Sequence, residues 1–406
     1  MKKNLLMAWR NLWRNKRRTL ITTASVFFGV IIATLMSSMQ EGSYNAMIRN
    51  IVSLYSGYVQ IHHQDYWANK SINYSFVPED SLTEVIDDIP EITRSAARVE
   101  TFALASSETL TKGSSVIGID PEAENQVTEL KKRLRQGNYL EQGDSGVLLA
   151  AGLAGYLKLG IGDTLVIIGQ GFHGISAAGK YPVRGIVSLP NPVLDRQTIY
   201  MDLRSSQDLL GLEDRITALV LMVESPYDLP QAVQKLKTEL RQPYQAMTWE
   251  EMQPEVQRMI NSDRQSNAVP KLILYIVIGF GIFGTVMMMI IERRREMGVM
   301  IAIGMRRMKL AIVLLYETIY IGLMGVAAGF LASMPVISYF YFNPVRMPGN
   351  TGQAMTIKGF DPYLYFSWHP RVFYEQVIIV FLIILLISCY PVYSAKRLEL
   401  NKALRD

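Results

Sequence analysis

The chain has 406 residues, of which 49% are hydrophobic and 19% charged, with a net charge of +5. That charge content is below the roughly 25% usual for soluble domains and points to a membrane protein with a large water-exposed part. So small a net charge predicts no nucleic-acid partner. The single cysteine, Cys389, excludes an intrachain disulfide.

Residues 1–18 carry seven basic groups (Lys2, Lys3, Arg10, Arg14, Lys16, Arg17 and Arg18) and no acid. Leu5, Leu6, Trp9, Leu12 and Trp13 form an apolar stripe, with Lys3, Arg10, Arg14 and Arg17 mostly opposite. This is the pattern of a helix lying in a membrane interface. Leu20 to Met39 is an uncharged apolar stretch of 20 residues, long enough to cross a hydrocarbon core of about 30 Å as a helix. It exceeds a signal-peptide core of about 7–15 residues and no A-x-A-like site follows, so residues 19–40 read as a retained first span.

Residues 41–269 are enough for a one- or two-lobed domain, two being expected. "SGYVQIHH" alternates like a strand, and "GDTLVIIGQG" and "YPVRGIVSLP" are β-rich and bounded by glycine or proline. "PEDSLTEVIDDIP" reads as a capped helix with a proline stop. "DLPQAVQKLKTELRQ" sets Leu229, Val233, Leu236 and Leu240 at helical spacing, and a polar helix from about Thr248 to Asp263 leads into the second span. The mixture predicts an α+β domain. Its "GISAAGKY" (residues 174–181) has the frame of a phosphate-binding loop. Tyr181 stands where Ser or Thr should meet magnesium and a strand-like run follows, so a loop between strands is the better reading. His62 and His63 are adjacent and would point to opposite strand faces, which makes them surface polar residues and not metal ligands. No catalytic constellation stands out.

Three further spans follow at 270–291, 310–340 and 373–394, with a hinge at 292–309, a short outer loop at 341–372 and a tail at 395–406. The N-terminal segment, hinge and tail together hold 17 basic and four acidic residues, against 24 basic and 32 acidic elsewhere. By the positive-inside rule both termini and the hinge are cytoplasmic and residues 41–269 face outward.

The hinge, "ERRREMGVMIAIGMRRMKL", begins with Glu292, Arg295 and Glu296 and ends with Arg306, Arg307 and Lys309. That polarity suits a helix dipole. Met297, Ile301, Met305 and Met308 form an apolar stripe, and Gly298 and Gly304 allow close approach or a break. One short amphipathic helix is expected, anchored to lipid or docked into a partner. In the third span Gly322, Gly325 and Gly329 share a face that Ser333 continues, suited to close packing within the chain or across a dimer. Glu317 lies about two turns inside that span; its cost in lipid makes it a functional candidate, bonded to the N-terminal or hinge helix. "VMMMI" (residues 286–290) offers adaptable packing to lipid or to a lipid-bearing substrate.

The hinge resembles the stretch after the second span in FtsX-like ABC transporter permeases, where a Glu-Arg-Arg-x-Glu-x-Gly run precedes a Gly-x-x-Arg-Arg turn. "YPVYSAKRLELNKALRD" resembles that family's ending and "AWRNLWRNKRRT" its N-terminal helix. "SGYVQIHH", "VIGIDPEAE", "LKLGIGDTLVI" and "TWEEMQPEVQRMI" look like the periplasmic core of the lipoprotein-releasing, Lol-type permeases and their MacB-type relatives.

The resemblance implies an α-helical membrane protein with four transmembrane helices and a large α+β periplasmic domain between helices 1 and 2. It belongs in the bacterial inner membrane and pairs with a second, identical or homologous permease chain. A cytoplasmic ATPase dimer would bind ATP and magnesium; only about 18 residues precede the first span and no Walker motif faces inward, so the ATPase is expected to be a separate polypeptide. The hinge would couple to that ATPase, and the chain itself would be non-catalytic. Lipoprotein extraction for transfer to the outer membrane, with a periplasmic chaperone or adaptor, is the leading expectation. Export of peptide or amphipathic cargo and activation of a cell-wall hydrolase are the alternatives.

Overall fold

The computed structural model describes residues 2–14, 16–52, 56–350, 352 and 362–397. Residues 398–406 of the expected tail and 353–361 of the expected outer loop lie outside the described residues. The chain divides into two compact units: Met1–Tyr44, Met259–Arg346 and Tyr363–Asp406 form one, and Asn45–Arg258 with Met347–Pro362 the other.

The first unit is helical apart from a short strand pair, Val345–Arg346 with Tyr363–Leu364. α1 (Lys2–Arg14) is followed by α2 (Lys16–Ile51), the first of four helices long and apolar enough to cross a membrane. Within the second unit the helices of two turns or more are α3 (Asp80–Asp87), α4 (Pro121–Thr128), α5 (Ala151–Leu157), α6 (Leu203–Leu210) and α7 (Leu229–Glu239). α8 (Pro254–Glu292), α10 (Arg307–Phe342) and α11 (Pro370–Lys396) are the other long apolar helices, and α9 (Arg294–Ala302) lies between α8 and α10. α2 and α10 have 36 residues each and α8 has 39. At 1.5 Å per residue, each is longer than the ~30 Å hydrocarbon core. The apolar stretches are thus only parts of longer rods, and the polar helix expected near Thr248 is the start of α8 itself after a short turn at Trp249–Met252.

The bundle core is built from Val26, Val30 and Ala33 of α2, Ile282, Val286 and Met289 of α8, Leu314 and Ile321 of α10, and Val380 and Ile384 of α11. A polar relay crosses it: the Tyr275 hydroxyl donates to Gln376 Oε1 at 2.5 Å, and Gln376 Nε2 donates to Ser37 Oγ at 2.9 Å. In lipid such groups need internal partners, and here they have them.

The second unit carries a ten-stranded mixed sheet. Its strands are β1 (Val59–His63), β2 (Ile92–Ser106), β3 (Thr111–Ile119), β4 (Leu134–Gly137), β5 (Val147–Ala150), β6 (Thr164–Gln170), β7 (Ser176–Val187), β8 (Thr198–Asp202), β9 (Ala218–Val223) and β10 (Tyr244–Thr248). They run in the order β10-β1-β9-β2-β3-β8-β5-β7-β4, with β6 paired to β2 and β7. β3/β8 and β5/β7 are parallel. Because side chains alternate along a strand, neighbours go to different cores. Val116, Leu149 and Ile199 join one cluster, and Ile117, Leu148 and Tyr200 the other. β5, "VLLA", is buried throughout, as a central strand covered on both faces must be.

Local chemistry fixes the turns into helices. Asp120 caps α4 by accepting from the Glu122 and Ala123 amides, and Pro121 supplies the first helical residue. Thr248 and Glu251 form a reciprocal capping box. The "GISAAGKY" segment crosses the β6–β7 hairpin, and Lys180 sits mid-strand opposite Val166.

His62 departs from the expectation. It is 1% exposed, because Tyr66, on which its ring stacks, and Trp67 cover that face of β1. Nε2 lies 2.8 Å from Gln60 Oε1, and Nδ1 has no partner among the described residues. Burial, aided by the Lys70 charge, lowers its pKa to about 3. His63 is half-buried.

Arg98 is a buried charge, 1% exposed, giving Nε to Glu124 Oε2 at 2.8 Å and Nη2 to Glu124 Oε1 at 2.7 Å. Glu100 stands 3.4 Å from its other terminal nitrogen. Burial pulls the Arg98 pKa down, and the charges of Glu124 and Glu100 overcome that pull, so the net direction is up. Among the described residues no cluster of His, Cys, Asp and Glu is placed to hold a metal.

Candidate functional site at the hinge

The hinge is two turns of structure with a break. α8 ends at Glu292; Arg293 leaves helical geometry (φ −94°, ψ 5°), and α9 runs only from Arg294 to Ala302. Gly304 takes φ +101°, a conformation that favours glycine, and α10 begins at Arg307. The single helix expected over 292–309 is therefore a short helix and a turn, because the second glycine breaks the chain while Gly298 stays helical.

The apolar stripe turns inward. Met297 (1% exposed) belongs to the bundle core, Gly298 is buried, and Ile301 and Met305 pack against the same cluster. Met308, grouped with them by spacing, is exposed. The outward face holds Val299, Ala302 and Ile303, with Ile303 83% exposed, flanked by Glu292, Arg295, Glu296, Arg306 and Arg307. Spacing identified the stripe and missed this second apolar surface, whose residues were no more distinctive than any other helix face.

Glu317 is 3% exposed in α10 and pairs with Arg293 Nη1. Arg293 Nε lies 3.3 Å from Glu296 Oε2, which also accepts from Arg14 Nη2 of α1 at 2.5 Å. Arg307 Nη1 donates to the Lys396 carbonyl at 3.1 Å, tying the start of α10 to the end of α11. Arg293 was not singled out by the sequence; the signal available was a buried acid needing a cation on a neighbouring helix.

α1 lies on this end of the bundle with Ala8 and Leu12 buried, while Leu6, Trp9 and Trp13 face outward. Trp9 meets Tyr320 of α10 edge-on, 5.8 Å between centroids. The side chain of Leu5 lies outside the described residues.

The glycine face packs within the chain. A Cβ at Gly322 would lie 2.6 Å from Ile384 of α11. At Gly325 it would lie 2.5 Å from Val26, and at Gly329 2.8 Å from Val30, both on α2. Ser333 continues this buried face.

Four apolar helices with an α+β domain of this kind define a membrane protein with an extracytoplasmic domain. The family model for the MacB-like periplasmic core domain matches residues 19–239, and that for the FtsX-like permease C-terminal region matches residues 272–400. The chain belongs to the FtsX-like ABC transporter permeases that carry a MacB-like periplasmic core domain. Permeases of this family are in general non-catalytic membrane subunits, and membership implies a cytoplasmic ATPase partner.

Among solved structures, the chain is similar to the extracellular domain of the noncanonic ABC-type transporter YknZ from Gram-positive bacteria. The match has 14% identity and a TM-score of 0.33, over 47% of this chain and 99% of that one. The periplasmic region of MacB from Actinobacillus actinomycetemcomitans matches at 13% identity with a TM-score of 0.35, over 52% of this chain and 97% of that one. A search of curated proteins gave no match.

Proposed function

We propose that this chain is the permease subunit of an ABC transporter that extracts lipid-modified proteins from the outer leaflet of the bacterial inner membrane. Both termini and the hinge lie in the cytoplasm, in keeping with their 17 basic and four acidic residues. The α+β domain stands in the periplasm between the first and second spans. A separate cytoplasmic ATPase binds ATP and magnesium and docks on the outward face of α9. Its closure moves a pair of permease chains and, through them, the periplasmic domains.

One observation supports the choice of a lipid-modified cargo. α8 presents Ile276, Phe280, Met287, Met288 and Ile291 outward, and a Cβ at Gly281 or Gly284 would meet nothing within 4 Å. A wall this apolar, with unbranched and polarizable methionines, accommodates acyl chains of varied length.

The test is reconstitution of the chain with its co-purifying ATPase in liposomes, supplied with a diacylated protein and its unacylated form. ATP-dependent release of the diacylated protein to a soluble acceptor is expected. Transport of the unacylated form alone would favour peptide export, and ATP turnover with neither released would favour activation of a cell-wall hydrolase.

A further inference from the structure

Arg14, Glu296, Arg293 and Glu317 alternate in sign and run from the surface of α1, across α9, into the interior of α10. Arg14 and Glu296 side chains are 62% and 50% exposed, Arg293 and Glu317 only 9% and 4%. Arg293 also occupies the non-helical position between α8 and α9, where its carbonyl accepts the Met297 amide at 2.9 Å. One residue thus starts α9 through its backbone and grips α10 through its side chain. It does so at a point ten residues into α10, roughly 15 Å along the helix.

We propose that Arg293 is a positioning residue, a joint that fixes α9 to α10 so that the two helices move as one piece when the hinge is loaded. The two ends of the charge chain behave differently. The exposed Arg14–Glu296 pair exchanges readily with water and contributes little. Breaking the inner pair would strand a buried charge, so it has no cheap open state and stays closed as α9 is displaced. Arg suits the role because its planar fork reaches Glu296 and Glu317 together. The biological sense of the joint rests on ATPase docking at α9, but the joint itself is testable without any ATPase.

The experiment is hydrogen–deuterium exchange on the full chain in nanodiscs. Glu317→Leu is expected to speed amide exchange in 294–302 by about tenfold or more, with the strands between 59 and 248 unchanged as a control for folding. Arg14→Ala is expected to change the same amides by less than about threefold. Unchanged exchange in 294–302 for Glu317→Leu, or equal loosening by Arg14→Ala, would overturn the proposal. If Glu317→Leu does not assemble, Arg293→Lys carries the test, since it keeps the charge and loses the fork; unchanged exchange in 294–302 then overturns it. Failure of ATPase recovery or docking, measured separately, leaves this result standing, and failure here leaves docking standing.

Discussion

Ile303 and Met297 lie six residues apart on the hinge and predict opposite consequences when truncated. Ile303 is 83% exposed on the chain, whereas Met297 is 1% exposed and packed in the bundle core. Fully burying an isoleucine-sized side chain contributes about 1.5–3 kcal/mol. Docking that covers Ile303, less what alanine retains, therefore makes Ile303→Ala cost roughly 1–2 kcal/mol, or about 5- to 30-fold in ATPase affinity. Met297→Ala should instead remove about 2–5 kcal/mol from the stability of the chain through the cavity it leaves. Its effect on affinity per folded molecule should stay below about threefold. Titrating the co-purifying ATPase against nanodisc-held chain gives the affinities, and thermal unfolding of the same samples gives the stabilities. Equal affinity for Ile303→Ala and wild type, or a larger affinity loss in Met297→Ala at matched folded protein, would show that the inward stripe and not the outward face meets the partner.

Four further predictions concern stability. A fragment of residues 45–258 should be soluble and unfold cooperatively in urea. In it Arg98→Met should cost about 3–5 kcal/mol by leaving Glu124 buried without its cation, while Arg98→Met with Glu124→Leu recovers most of that loss; equal loss in both variants would contradict this. In the same fragment, His62 excludes a proton when folded, its pKa near 3 against about 6.5 unfolded, so the stability it contributes is complete above pH ~6.5 and is lost as pH falls toward 3. The loss amounts to at most about 5 kcal/mol, and His62→Gln should flatten that limb of a urea-midpoint profile against pH. Gly325→Leu should lower the unfolding temperature of the detergent-solubilised chain by overpacking against Val26, about 1–3 kcal/mol. Gly281→Ala, with nothing within 4 Å of its Cβ inside a helix, should not lower that temperature.

The four apolar helices were legible because each concentrates uncharged residues beyond what a soluble helix carries. The cap at Asp120 was not singled out, although Asp-Pro before a polar run was the signal available. The hinge was readable only in part. Its spacing marked one face as apolar, but amphipathicity does not say whether that face meets the chain's own bundle or a partner. Gly298 and Gly304 gave the same signal, and only tertiary context decides that the second takes a positive φ. Glu317 announced the need for a cation, yet Arg293, 24 positions earlier, competed with every other basic residue of the hinge. His62 was misread because alternation locates the two faces of a strand but does not say which is covered, and Tyr66 and Trp67 close over the His62 face.

The glycine seam between α10 and α2 has a thermodynamic consequence. Gly325 and Gly329 bring no side chain to it, and Val26 and Val30 opposite are β-branched, held near one rotamer by the helix itself. Almost no side-chain conformational entropy remains to be lost when the two helices meet. In lipid, where apolar burial gives helices no reason to prefer each other over acyl chains, association is set by small differences. This seam is favoured by the disorder it never has to give up.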